Sequence, residues 1–259
     1  MSERSTVSKE AAQESSPKHV TNGADAVIAA LETAGVEHLF GVAGGAIMPV
    51  YDSLYYSDMH HVTMAHEQGA IHAADAYGVV SGKPGVCMAT SGPGATNLVT
   101  GLADADMDSD PVLALTGQVS TDLVGKDAFQ ETDTTGVTMP ITKTNYFATD
   151  PATVGDTVGE AFAVARDGRP GPTVVDLPKD VATGETDETP GEPQLPPDFE
   201  VPDAADGELV TEAANALANA QRPVILSGGG VVKGEAWDEL RRFALEYEVP
   251  VVTTMPGIG

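Results

Sequence analysis

Residues 85–105 read GVCMATSGPGATNLVTGLADA, and the reading of this stretch decides the fold class. The apolar run 85–90 has the length of a buried strand and breaks at Ser91, Gly92, Pro93 and Gly94. Glycine permits a sharp turn, and proline is favoured in the first turn of a helix. Past the turn, Leu98, Leu102 and Ala105 recur at helical spacing. The unit is a strand, a tight turn and a helix.

The same alternation extends outward in both directions. A helix is predicted from Thr21 or Asn22 as cap, burying Val27, Ile28, Leu31 and Ala34 and stopping at Gly35. Further short apolar runs stand at 36–42, 62–65, 111–117 and 173–177, with helix-like stretches between most of them. This pattern predicts βαβ units, hence an α/β fold with a doubly wound parallel sheet covered on both faces. The domain should occupy residues 19–183, preceded at 1–18 by a polar, disordered tail.

From Val181 to Asp206 the sequence has five Pro, eight acidic residues and no Lys or Arg. Proline cannot sustain a helix and like charges extend the chain, so 184–206 reads as an interdomain linker. Residues 207–259 then give a helix, a strand, the turn Gly228, Gly229, Gly230, a helix carrying Trp237 and Leu240, and a second strand. This is the start of a second, Rossmann-like α/β domain, and it is incomplete. Two strands and two helices rarely enclose a core, so the sequence is expected to be the N-terminal portion of a longer protein or half of a split one.

The 13 basic and 39 acidic residues give a formal charge of −26, which disfavours nucleic acid and anionic membranes as partners. No apolar run reaches the ~18 to 20 residues of a membrane span, and the N-terminus lacks an apolar signal core, so a cytoplasmic protein is expected. An apolar content of 41% supports a packed core, with the acid outside, in the manner of proteins adapted to high salt. The single Cys87 excludes an internal disulfide and is expected to be a buried, inert thiol.

Several segments could carry chemistry. FGVAGGAIMPVYD, residues 40–52, sets a Gly-Gly turn between a strand end and a helix start, where a ligand can approach backbone N–H groups. In MAHEQGAIHAADAYG, residues 64–78, Glu67 stands at the junction of a strand and an Ala-rich helix, a position suited either to proton relay or to simple helix capping. His66 and His72 do not make a zinc site: six residues of helix leave them about 120° apart around the axis. His60 and His61 are expected in the preceding connection, solvated, and no metal ligands are assigned. The TSGPGATN turn lacks the Gly-Lys-Ser/Thr ending of a phosphate loop. DAFQE, residues 127–131, lies in a long irregular stretch of the kind that carries function, and Lys179 should emerge just past a strand end, where open α/β sheets bind ligands.

Taken in order, FGVAGGAIMPVYD, HEQGAIHAADAYG, TSGPGATNLVTG, MDSDPVLALTGQV, DAFQE, PITK and GRPGPTVVDLPKDV resemble the large subunit of acetolactate synthase, in the thiamine-diphosphate enzyme superfamily. The resemblance runs from about Val20 to Gly259, and departs at Ala43, where the family usually has proline. It implies a pyrimidine-binding domain at 19–183 and the beginning of a central FAD-binding domain at 207–259, with Mg²⁺ and the diphosphate held by a further C-terminal domain. It implies decarboxylation of pyruvate and transfer of the two-carbon unit to a second 2-oxo acid, in branched-chain amino-acid biosynthesis. By motif match Glu67 would hydrogen-bond the aminopyrimidine, Gly45, Ala46, Pro93 and Asn97 would lie beside it, and Gln130 would approach the reacting centre. Phe129 would wall the substrate site and Lys179 would stand near its entrance. For a structural FAD the match points to Arg169, to Gly228, Gly229 and Gly230, and to Thr254 and Met255. A homodimer or tetramer and a regulatory small subunit are implied as partners. A related thiamine enzyme of the sulfoacetaldehyde acetyltransferase or oxalyl-CoA decarboxylase type, or a non-catalytic split subunit, are the alternatives.

Overall fold

The computed structural model describes residues 20–202 and 204–258, so the expected tail at 1–18 lies outside the described residues. In chain order the first domain comprises α1 (Gly23–Thr33), β1 (His38–Gly41), α2 (Met48–Tyr55), β2 (His60–Thr63), α3 (Glu67–Ser81) and β3 (Gly85–Ala89). It continues through α4 (Pro93–Thr96), α5 (Val99–Asp108), β4 (Val112–Gln118), α6 (Thr134–Thr138), β5 (Thr144–Phe147), α7 (Val154–Arg166), β6 (Pro172–Pro178) and α8 (Lys179–Thr183). Asn22 caps α1, its side chain accepting from the Asp25 N–H.

All six strands are parallel, in the order β2-β1-β3-β4-β6-β5. One face is packed by α1, α2, α7 and α8 through Val27, Leu31, Val50 and Phe162 against Leu39, Val86, Leu113 and Val175. The other is packed by α3 and α5 through Ile71, Ala74 and Leu102 against Cys87, Ala114 and Val174. Facing layers on both sides bury β3, β4 and β6 at every position. The expected doubly wound sheet is present. Cys87 is fully buried in β3, and desolvation pushes its thiol up, out of the reactive range.

The two edge strands differ from the sequence expectation. β2 begins two residues before the expected run, so His60 and His61 belong to the strand and not to the connection, with His60 exposed as expected. An edge strand tolerates such residues because one of its sides is not enclosed. His61 is half-buried, with Nε2 3.2 Å from the Tyr51 hydroxyl, and burial and then the neighbouring His60 pull its pKa down. β5 is the other edge, and its TNYF sequence showed no apolar run to announce it.

The acidic stretch after α8 is extended, but it lies along α7. Gly23 N–H donates to Gly184 O at 3.0 Å and Thr186 N–H to Thr21 O at 3.2 Å, which starts the strap beside α1. Glu188 then accepts from the Gly155 and Asp156 N–H groups at 2.9 and 2.8 Å, closing two open donors at the α7 N-terminus. At the other end of α7, Lys143 of the PITK motif donates to the carbonyls of Val164 and Asp167, and its ammonium lies 5.3 Å from the centre of the Phe199 ring. The strap therefore clasps α7 at both termini. Glu188→Ala should lower stability by about 1–2 kcal/mol, the cost of a lost helix cap, and Glu188→Gln by less. Thermal melts of the complete protein check both; equal melting temperatures for all three forms would remove the cap.

Beyond the strap stand α9 (Gly207–Asn219), β7 (Ile225–Ser227), α10 (Gly229–Lys233), α11 (Trp237–Glu246) and β8 (Val251–Thr253). β7 and β8 pair in parallel as a two-stranded sheet. No residue of α9, α10 or α11 is buried, although α9 and α11 carry Leu209, Leu217, Trp237 and Leu245. The unit touches the first domain through Lys233, which ion-pairs with Asp110.

Asp110 also shares a hydrogen bond with Asp75 of α3. Burial, then the charge of Asp110, push Asp75 up to about 7. In the unfolded chain Asp75 ionises near the ordinary carboxylate value, so between there and pH 7 the unfolded state binds fewer protons and stability falls as pH rises. Above about pH 7 that loss is complete. Asp75→Asn should flatten the profile over this window, measured as denaturation midpoints from pH 4.5 to 8; a slope like that of the unaltered protein would oppose it.

Candidate active site

In doubly wound sheets ligands bind outside the carboxyl ends of the strands, where successive connections leave in opposite directions. Here β1 has β2 on one side and β3 on the other, which makes the β1/β3 gap the switch point. The turns at its mouth are 42–46 and 90–94, the two glycine turns singled out in the sequence.

These turns interlock. A Cβ added to Gly44 would lie 2.5 Å from Cβ of Thr90, so only glycine lets the first turn pack against the Thr90 side chain. The Ala46 N–H donates to Thr90 Oγ1 at 3.2 Å. Gly45 has nothing within 4 Å of the place its Cβ would take, so open space faces the turn there. Thr90 is the post of the cradle, a role that sequence reasoning missed although the residue lay inside the TSGPG motif.

Glu67 is the first residue of α3, whose N-cap is His66, accepting from the Gln68 N–H. The Asn97 amide donates to Glu67 Oε2 at 2.9 Å. The other oxygen, Oε1, would be 3.5 Å from a Cβ on Gly94. One oxygen is thus held from the turn after β3 and the other faces its backbone. The carboxylate is partly exposed. Tyr51 is on the same side: its hydroxyl would lie 2.5 Å from a Cβ on Gly41, and burial, then the Cys87 and Glu67 charges, push its phenol up. Tyr51 too went unread in the sequence.

Gln130 reaches the same mouth by its backbone. Gly92 has φ +58°, and a Cβ there would lie 2.5 Å from Gln130 O. Gln130 itself is at φ +60° and Asp127 at φ +54°, both in the left-handed region. Such residues persist only where their surroundings fix them. Glu131 helps, its carboxylate accepting from the Gly125 and Ala128 N–H groups. Phe129, at the tip, is 87% exposed.

Glu67, Asn97, Pro93, Gly45, Ala46 and Gln130 are therefore grouped at one end of the sheet. Lys179 follows β6 directly and so stands at the same end of the parallel sheet, as expected. It opens α8 and lines a hollow of about 400 Å³ with Asn22, Met48, Pro49 and Tyr56. Its neighbour Asp180 accepts from Thr121 and so ties α8 to the connection after β4.

Arg169 lies at the opposite end of the sheet, before β6. Its Nε donates to Ser109 Oγ at 2.7 Å, next to the Asp110 that pairs with Lys233. Gly228 is the N-cap of α10 and Gly229 and Gly230 are its first residues, rather than the expected tight turn, and α10 approaches the same corner as Arg169 through the neighbouring Ser109 and Asp110. Thr254 N–H donates to Ser227 O at 2.9 Å beside that N-cap, and Met255 is exposed. His72, Asp75 and Asp104 bring potential ligand atoms within 4.8 Å of one another; His72 Nδ1 lies 3.6 Å from Asp104 Oδ2, and Asp75 Oδ1 is buried without a hydrogen-bond partner. Among the described residues no helix is long and apolar enough to cross a membrane.

The comparisons with known proteins point to a single family. Residues 21–137 match the thiamine pyrophosphate enzyme N-terminal TPP binding domain, and residues 210–259 match the central domain of the same enzymes. The chain is 50% identical over 241 residues to a probable acetolactate synthase large subunit of Methanocaldococcus jannaschii, covering 92% of this chain and 41% of that protein. It is 51% identical over 239 residues to an acetolactate synthase of Mycobacterium bovis, covering 92% and 38%. With the Corynebacterium glutamicum acetolactate synthase large subunit the identity is 47% over 249 residues, covering 94% and 39%. The chain spans about two fifths of the length of these relatives. An N-terminal domain and a central domain of one family, in that order and with these relatives along nearly the whole chain, mean that it belongs to the thiamine pyrophosphate enzymes.

Proposed function

We propose that the chain is the pyrimidine-binding domain and the first part of the central domain of an acetolactate synthase. Such an enzyme removes carbon dioxide from pyruvate and joins the remaining two-carbon unit to a second 2-oxo acid. The observation that carries the reading is the Glu67–Asn97 pair beside interlocked glycine turns at the β1/β3 switch point. Identity near 50% with acetolactate synthases narrows the substrate class to 2-oxo acids.

The cradle suits a flat aminopyrimidine. Gly44, Gly45 and Gly94 leave backbone rather than side chains on its walls, and the open space at Gly45 provides the entry. Pro93 and Asn97 would flank the ring, and Glu67 would hold or pass a proton at Oε1 while Asn97 fixes Oε2. Thiamine diphosphate, when bound, supplies the electron sink for decarboxylation. Gln130 and Phe129 would line the approach of the 2-oxo acid, with Lys179 nearer the outside. Mg²⁺ and the diphosphate belong to a domain outside these residues. A structural FAD near Arg169, Gly228, Gly229, Gly230, Thr254 and Met255 is part of the same proposal, supported by the shared corner of Arg169 and α10. The term large subunit in relatives' names supports a smaller regulatory partner, and a homodimer or tetramer in the cytoplasm completes the reading.

The test is made on the complete polypeptide with thiamine diphosphate, Mg²⁺ and FAD. Acetolactate should form from pyruvate alone, and the mixed product should appear when 2-oxobutyrate is added. Turnover of sulfoacetaldehyde or oxalyl-CoA in preference to pyruvate would replace the substrate assignment.

A further inference from the structure

Asp176 is 2% exposed on β6, the strand beside the edge strand β5, and takes no part in the cradle. A buried carboxylate is costly unless donors surround it. Asp176 has them: Oδ1 accepts from Thr116 Oγ1 at 2.7 Å, Oδ2 accepts from Gln118 Nε2 at 2.9 Å, and the Thr134 hydroxyl adds a third bond. Burial, with the charge of Asp133 adding to it, still pushes its pKa up to about 6 despite these bonds, so at neutral pH it is ionised.

Gln118 uses every position of its amide. The two Nε2 hydrogens go to Asp176 Oδ2 and to the carbonyl of Thr132, the latter at 2.8 Å, while Oε1 accepts from the Val119 N–H at 2.9 Å. The carboxylate thus dictates which way the amide faces, and the amide in turn holds Thr132. Thr134, on the same segment, is held directly. Residues 132 and 134 anchor the end of the loop whose other end carries Phe129 and Gln130, and Gln130 rests on Gly92 at the cradle.

We propose that Asp176, acting through Gln118, is a positioning residue that holds loop 127–134 against the TSGPG turn, so that Gln130 is kept in place beside Glu67. The part of this that concerns catalysis rests on the proposed thiamine-enzyme reading; the clamp itself does not. An alanine at 176 removes both acceptors and leaves the Gln118 Nε2 hydrogen without its partner, whereas an asparagine can keep its oxygen toward Gln118 and turn its NH₂ to the Thr116 hydroxyl, which can accept.

The variants Asp176→Ala, Gln118→Met and their combination, with Asp176→Asn as the conservative form that keeps an acceptor for Gln118, are made in the complete holoenzyme and read by amide hydrogen exchange, thermal melting and kinetics. In Asp176→Ala the amides of 128–134 should exchange at least ~10-fold faster while the sheet stays protected, and Asp176→Asn should stay within a few-fold of the unaltered protein. Turnover of Asp176→Ala should fall ~10-fold or more with the KM for pyruvate little changed, as for a lost transition-state alignment. Gln118→Met should release the same amides, and the double variant should be no worse than either single one. Unchanged loop exchange in Asp176→Ala overturns the proposal, and so does faster exchange spread evenly over the sheet, which marks a structural role alone. If the unaltered holoenzyme makes no acetolactate, the functional reading fails while the exchange data still decide the clamp.

Discussion

Glu67→Gln in the complete enzyme should reduce acetolactate formation by about 10²- to 10⁴-fold, the range lost when a positioned proton-transfer group is removed. The expectation follows from how the two carboxylate oxygens are used. Oε2 is taken by the Asn97 amide, and Oε1 faces the turn at Gly94. A glutamine keeps the first contact by turning its carbonyl oxygen toward Asn97. Its NH₂ then faces the cradle, where it donates a hydrogen bond and neither accepts nor delivers a proton. The side chain is at a helix start and partly exposed, so stability should change by less than about 0.5 kcal/mol. Turnover within a few-fold of the unaltered enzyme, at saturating thiamine diphosphate, would remove Glu67 from the proposed role. A loss of turnover with a matching fall in melting temperature would be a folding defect and would count against it as well.

What the sequence revealed depended on burial. β3, β4 and β6 are covered on both faces, so solvent imposes no alternation on them and they read as the apolar runs from which the sheet was inferred. The edges gave no such signal. β2 carries two histidines and β5 carries Thr144 and Asn145, because an edge strand is defined by its partner and its position more than by its own hydrophobicity. The strap at 184–206 shows the same limit. Its prolines and acids excluded helix, but only the structure reveals that Glu188 and Phe199 find opposite ends of α7. At the site, glycine turns were legible because their chemistry is local. Thr90, Tyr51 and Asp176 were not, since each acts across 44 residues or more or through a neighbouring strand, as in the Ala46 to Thr90 bond and the Thr116 to Asp176 bond.

Gly92→Ala should be the most damaging single-methyl change at the site, and its effect separates two costs. The first is conformational: at φ +58° and ψ −116° the residue occupies a region that a side chain enters at about 1–3 kcal/mol. The second is steric. The added Cβ would meet Gln130 O at 2.5 Å, its carbonyl carbon at 2.9 Å and its Cα at 3.0 Å, all backbone atoms with no rotamer to escape into. Overpacking of this kind costs about 1–3 kcal/mol, so the two together give roughly 2–6 kcal/mol if the loop stays where it is. The loop can relieve the second cost only by lifting Gln130 away from the cradle. Gly125→Ala supplies the comparison, since Gly125 has φ +78° but nothing within 4 Å of its Cβ. That variant should lose only the conformational part and keep its loop. Thermal melts and amide exchange of 127–134 distinguish the cases: Gly92→Ala should either melt several degrees below Gly125→Ala or match it with a freely exchanging loop and depressed turnover. A Gly92→Ala protein that melts with Gly125→Ala and retains both loop protection and turnover would show that Gln130 does not rest on this glycine.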